Sequence, residues 1–141
     1  MHKLLRIIAI CTIVTLVSLA FPLALFAQHA YLTCRRASTV DVYNLTNGDY
    51  IGDIRVGDFP TGVASTPDGA HVYVTNTGSS TVSVIDTSSN TVVATINVGY
   101  DPYGVAINPT TTSPFLPPEA YVTNLYGYVS VIDTSSNTVI H

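Results

Sequence analysis

From residue 61 onward the chain is a succession of short runs of β-branched and aromatic residues separated by Gly, Pro, Ser and Asn. TGVAS at 61–65, VYVT at 72–75, VSVI at 82–85, VVATIN at 92–97 and YGVAI at 103–107 are bounded by turn residues such as Pro67-Asp68-Gly69 and Gly78-Ser79-Ser80. Runs of this length and character predict strands. Alternation of apolar and polar positions is only partial. Val82 and Val84 fall on one face and Ser83 and Ile85 on the other, so both faces carry apolar side chains. A sheet patterned in this way is covered on both sides by neighbouring sheets rather than left wet on one.

The pattern also repeats. VSVIDTSSNTV stands at 82–92 and again, unchanged, 47 positions later at 129–139, and YVTN at 73–76 returns at 121–124. A shift of 42 carries Tyr31 onto Tyr73, Ser38-Thr39-Val40 onto Ser80-Thr81-Val82, and Gly57, Pro60, Gly62 and Pro67 onto Gly99, Pro102, Gly104 and Pro109. Gly and Pro fix turns, so one offset that aligns so many of them is a structural repeat. A period of roughly 40–50 residues marks a propeller or solenoid. The predicted fold is therefore all-β, built from β-propeller blades of four antiparallel strands. The third unit carries a Thr- and Pro-rich insertion at 110–118 and reaches His141 just after Val139. From Gln28 to His141 are 114 residues, about 2.7 units of 42. Closed propellers hold roughly four to eight blades, so the expectation is a partial propeller. It is either a truncated product or fragment, the reading favoured here, or a chain that completes its ring with other copies.

The N-terminus adds export. Lys3 and Arg6 precede a stretch from Ile7 to Gln28 without charge, the pattern of a secretory signal peptide, with Ala27 as the expected cut. Residues 1–27 are thus read as a signal peptide and residues 30–141 as the repeat region. The alternative is an uncleaved anchor, because the 21 apolar residues at 7–27 are long enough to span a bilayer. Both readings place the body outside the cytoplasm: secreted, at the cell surface or in the periplasm, with membrane attachment only if the segment is kept. Cys11 would leave with the signal, so Cys34 is expected alone in the mature chain, as a small buried apolar residue.

Charge excludes one class of partner. The chain is 10% charged with a net charge of −4, and Lys3, Arg6, Arg35, Arg36 and Arg55 form no basic stripe. Nucleic acid is not an expected partner. The Arg35-Arg36 pair reads as solvated residues at a strand end. Asp86-Thr87-Ser88-Ser89-Asn90 and Asp133-Thr134-Ser135-Ser136-Asn137 resemble ligand loops, but each offers a single carboxylate where calcium needs several oxygens. Such residues bond back to nearby amides, so tight turns are expected. His2, His29, His71 and His141 are scattered, no Cys-x-x-Cys-His motif occurs and Trp is absent. No acid and base stand at a recognisable spacing. No catalytic, metal or cofactor residue is assigned. Asn44-Leu45-Thr46 forms a glycosylation sequon whose meaning depends on the source.

YVTN at 73–76 and 121–124, VSVIDTSSNTVVATINVG at 82–99 and DPYGVAINP at 101–109 resemble the YVTN β-propeller repeat family of surface-layer and related exported proteins. The resemblance covers residues 30–141. The first unit departs from it, with YLTC in place of YVTN and Asn44-Leu45-Thr46-Asn47-Gly48 in place of DTSSN. The resemblance implies a large propeller acting as a binding or scaffolding surface, with no catalytic set belonging to the repeat. The expected function is non-catalytic, with a protein or cell-envelope partner, and with self-association as a route to ring completion. The alternative is a fragment of an enzymatic propeller such as a lactonase-like hydrolase.

Overall fold

The structure is a computed structural model that describes residues 29–108 and 118–141. The signal segment and nearly all of the 110–118 insertion lie outside these residues. The described chain forms three antiparallel sheets. The first contains β1 (His29–Cys34), β2 (Thr39–Asn44) and β3 (Tyr50–Arg55). The second contains β4 (Pro60–Ser65), β5 (His71–Asn76), β6 (Thr81–Asp86) and β7 (Thr91–Asn97). The third contains β8 (Pro102–Ile107), β9 (Glu119–Asn124), β10 (Val129–Asp133) and β11 (Thr138–Val139). In the second and third sheets the strands lie side by side in chain order, as in a propeller blade.

The repeat extends to the irregularities. The register slips between Val42 and Tyr43 and again between Val84 and Ile85, and the inner strands bulge between Pro60 and Val63 and between Pro102 and Val105. Left-handed backbone recurs at the same offset: Ser38 with Ser80, Phe59 with Asp101, and Gly48, Asn90 and Asn137 at one shared turn position. Gly, Asn and Asp tolerate that conformation, whereas a bulky Phe there is an outlier.

The middle blade is buried on both faces, as its pattern predicts. Val40, Val42 and Ile54 of the first blade pack against Val63, Val72, Val74 and Ile85 of the second. On the other side Tyr73, Val82, Val84 and Ile96 pack against Ala120, Val122 and Ile132 of the third. Each fully buried Val or Ile contributes roughly 1.5–3 kcal/mol, so blade-to-blade faces supply most of the stability.

Polar latches cross both interfaces. Tyr31 donates its hydroxyl to Asn90 Oδ1 at 2.6 Å, and Tyr73, one blade on, donates to Asn137 Oδ1 at 2.6 Å. Thr33 donates to the Thr61 carbonyl at 3.1 Å and Thr75 to the Tyr103 carbonyl at 2.8 Å. The Tyr and Thr of the YVTN segment, or of YLTC in the first blade, thus bind the next blade's DTSSN turn and inner strand. Burial pushes the Tyr31 and Tyr73 hydroxyls up to about 12, helped by the nearby carboxylates of Asp86 and Asp133 respectively.

Cys34, expected as a small buried residue, is half-buried at the end of β1, and Cys11 lies outside the described residues. One sequence expectation changes. Arg35 is not merely solvated: its guanidinium lies 5.6 Å from the centre of the Phe59 ring, within cation–π range.

Candidate functional site

The blade ends differ in chemistry. At one end stand the β6–β7 and β10–β11 turns. The Asp86 carboxylate accepts from the Ser88 hydroxyl at 2.6 Å, the Ser89 amide at 2.9 Å and the Ser89 hydroxyl at 3.0 Å, which together hold it at about 2. Asp133 accepts from the Ser135 hydroxyl at 2.6 Å and the Ser135 amide at 2.8 Å, and its pKa is lowered for the same reason. These turns use their own oxygens internally, and among the described residues no group of three or more His, Cys, Asp or Glu could hold a metal. The sequence reading of DTSSN as turn chemistry matches this geometry.

At the opposite end lie the turns that enter the inner strands, residues 56–59 and 98–101, and those that follow the second strands, residues 35–38, 77–80 and 125–128. They are tied to one another. The Thr77 amide donates to the Phe59 carbonyl at 3.1 Å, Gly78 to Asp58 at 2.9 Å, and Leu125 to Tyr100 at 3.1 Å. A 3-10 turn spans Thr77–Ser79 and another Leu125–Gly127, the latter with Tyr126 at φ 69.

This end holds an open cavity of about 510 Å³ where the three blades converge. Arg35 comes from the first blade, Phe59, Thr77 and Gly78 from the second, and Asp101, Tyr103, Thr123, Asn124 and Leu125 from the third. Around it, Tyr100, Tyr126 and Tyr128 are 78%, 80% and 73% exposed, a concentration of solvent-facing rings. Arg35 supplies a cation, Asp101 a carboxylate, Thr77 a hydroxyl, and Phe59 and Tyr103 apolar surface. Asn124 donates its side-chain amide to Ser130 Oγ at 2.9 Å, while its buried Oδ1 has no partner. Asn76, which does not line the cavity, shows the same arrangement, so this belongs to the repeat and not to the site.

The sequence reading assigned no site residue, and His29 and His71 are not drawn to this end. His29 and His71 open β1 and β5 at the far end of those strands. The cavity residues escaped because they carry repeat signals rather than a site motif: Thr123 and Asn124 belong to the second YVTN, and Asp101 and Tyr103 to DPYGVAINP. A further signal is mismatch between aligned units, since at the 42-residue offset Phe59 meets Asp101 and Arg35 meets Thr77.

No family model matches the chain, and no curated protein matches it. Solved structures do. Hydrazine synthase from Kuenenia stuttgartiensis is similar with a TM-score of 0.74 at 27% identity, over 81% of this chain and 32% of that one. A functionally unknown protein from Desulfotomaculum acetoxidans DSM 771 gives 0.64 at 18% identity, over 79% and 36%. U3-55K gives 0.69 at 14% identity, over 81% and 35%. The chain spans about a third of the length of these structures. The likenesses fit a propeller-like fold. Among the described residues no helix is long and apolar enough to cross a membrane.

Proposed function

We propose that the chain is the propeller sector of an exported YVTN-type repeat protein that acts without catalysis, as a binding or structural scaffold in the cell envelope. One observation carries the reading. Residues that differ between aligned units, Arg35 against Thr77 and Phe59 against Asp101, meet around one cavity, while the Tyr and Thr that hold blade to blade recur. A binding surface needs local variety on a fixed frame, and exposed rings beside a guanidinium and a carboxylate give contact area with orientation. Export rests on the charge pattern of residues 1–28, and the family on the YVTN and DTSSN segments. The partner is a protein or another envelope component, and nucleic acid is disfavoured by the net charge of −4.

The test is retention of labelled protein on isolated cell-envelope fractions, comparing the native chain with Tyr103→Ala and Arg35→Ala. Loss of most retention in both variants supports the reading, and unchanged retention refutes it. A second reading, an enzymatic propeller, draws on the 27% identity to hydrazine synthase, although the matched region is 32% of that chain. Turnover of simple lactones by the purified protein would favour that reading over the scaffold.

A further inference from the structure

Arg35, Arg36 and Arg55 are the Lys and Arg side chains of the described residues, and the fold gathers them at the cavity end of the first blade. Arg35 and Arg36 stand in the turn from β1 to β2. Arg55 ends β3 opposite Thr39, and the Val56 amide ties that strand to the Ser38 carbonyl at 3.0 Å. All three arginines are exposed, and among the described residues none is in an ion pair. The carboxylates are distributed the other way. Asp49, Asp68, Asp86, Glu119 and Asp133 lie at the opposite end of the blades, and Asp58 and Asp101 are the carboxylates in the turns of this one. Cation is therefore in excess here, although the chain as a whole carries −4.

Exposed rings share this end. Tyr100 and Tyr126 of the third blade have Asp58 and Gly78 as counterparts in the second, so neither turn requires an aromatic residue. Asp58 and Gly78 stay exposed although the second blade is packed on both faces, and so does Asn97, the counterpart of Arg55. Openness at these positions thus belongs to the turns themselves and not to the lack of a neighbouring blade. Between the arginines and the rings lies the cavity, where Arg35 and Asp101 offer a donor set and an acceptor.

This combination has a chemical match. A sugar hydroxyl both donates and accepts, so it can meet the guanidinium of Arg35, which only donates, and the carboxylate of Asp101, which only accepts. The C–H face of a pyranose ring carries partial positive charge and lies against the negative face of an aromatic ring. A guanidinium fork takes a carboxylate in two parallel hydrogen bonds. An acidic peptide would satisfy the arginines alone. Peptides gain their affinity by pairing with a sheet edge or seating side chains in a pocket, whereas this end presents turns with outward-facing rings. The arginines and the tyrosines also sit on the first and third blades, so the ligand must be a chain that crosses the second.

We propose that the cavity end binds an acidic polysaccharide, a chain of uronic acid residues. Its carboxylates meet Arg35, Arg36 and Arg55, and its ring faces lie on Tyr100 and Tyr103. The inference rests on the binding reading of the cavity and names the class of ligand.

The experiment is isothermal titration calorimetry of the full chain with an oligomer of galacturonate. Two controls separate the contributions: the methyl-esterified oligomer, which keeps the rings and loses the charge, and polyglutamate, which keeps the charge and has no sugar. The galacturonate oligomer should bind, and each control should bind at least about tenfold more weakly. Arg36→Gln and Tyr100→Ser, both at exposed turn positions, should each weaken binding about tenfold while leaving the urea midpoint unchanged. Added salt should weaken the native chain and Tyr100→Ser alike, and Arg36→Gln less. Absence of binding to galacturonate overturns the proposal, as does equal affinity for the esterified oligomer. Equal affinity for polyglutamate overturns it in favour of an acidic peptide. A chain that is held on cell envelopes through Arg35 and Tyr103 yet ignores galacturonate refutes this inference and leaves the scaffold reading standing.

Discussion

Removing one oxygen atom from Tyr73 isolates the latch between the second and third blades. Tyr73 is 1% exposed, its ring is part of the second apolar layer, and its hydroxyl donates to Asn137 at 2.6 Å. Tyr73→Phe keeps the ring and deletes the donor. A neutral hydrogen bond of this kind is worth about 1 kcal/mol net. Asn137 is only half-buried, so water can reach its freed oxygen and the cost of an orphaned acceptor is small. The expected loss is therefore about 1 kcal/mol. With a urea slope of about 2 kcal/mol/M, the midpoint should fall by about 0.5 M with the slope unchanged. The assay is urea unfolding followed by circular dichroism at one fixed chain concentration. Asn137→Ala should cost a similar amount, and the double variant should show a coupling of about 1 kcal/mol, because both changes remove the same bond. Tyr121→Phe makes the identical chemical change at a solvent-facing position and should stay within about 0.5 kcal/mol of the native chain. If Tyr121→Phe costs as much as Tyr73→Phe, or the coupling is near zero, the latch contributes nothing and the reasoning fails.

Three further outcomes follow from the same interfaces. Gly62→Ala should cost about 1–3 kcal/mol, because the added methyl meets the backbone of the next blade, whereas Gly52→Ala, with nothing within 4 Å, should cost little; thermal melts of the two variants check this. Ile85→Ala and Ile132→Ala each empty a fully buried site on a blade face and should each cost about 2–5 kcal/mol in urea unfolding. Tyr31 and Tyr73 hold their protons more tightly folded than unfolded, so their contribution is complete below pH 10 and is lost as pH rises toward about 12; alkaline titration of Tyr73→Phe should show a shallower loss of stability through that window than the native chain.

The strand positions were legible because every strand is marked twice, once by its own β-branched run and once by its copy in another unit. The runs at 72–75 and 82–85 are extended in the structure only by one residue at each end, to His71–Asn76 and Thr81–Asp86. The two-sided apolar pattern of Val82, Val84 and Ile85 likewise foretold burial on both faces, since all three are 0% exposed. What local pattern could not give is the function of the motif letters across space. Tyr73 and Asn137 are 64 positions apart, and nothing in the DTSSN turn distinguishes an Asn that merely permits a left-handed bend from one that also accepts a neighbour's hydroxyl. That pairing becomes visible only when the blades are stacked.

The same geometry explains why several cavity residues differ between units. A residue on a blade face answers to two surfaces, its own sheet and its neighbour's, and a change there must be compensated across the interface. A residue in the turns before the inner strands answers mainly to its own backbone conformation. Phe59 and Asp101 illustrate the difference: both sit in the left-handed region, at φ 51 and 47, at the same position of successive units, with side chains that share nothing. Proline and glycine around them stay fixed, as Pro60 and Pro102 or Gly57 and Gly99, because the bend itself is common to both. A repeat therefore erases from the sequence pattern the very residues that give each unit an individual surface. Reading such a chain for function means aligning its units and looking first where they disagree, which here leads from Thr61 against Tyr103 and Arg35 against Thr77 to one cavity at one end of the blades.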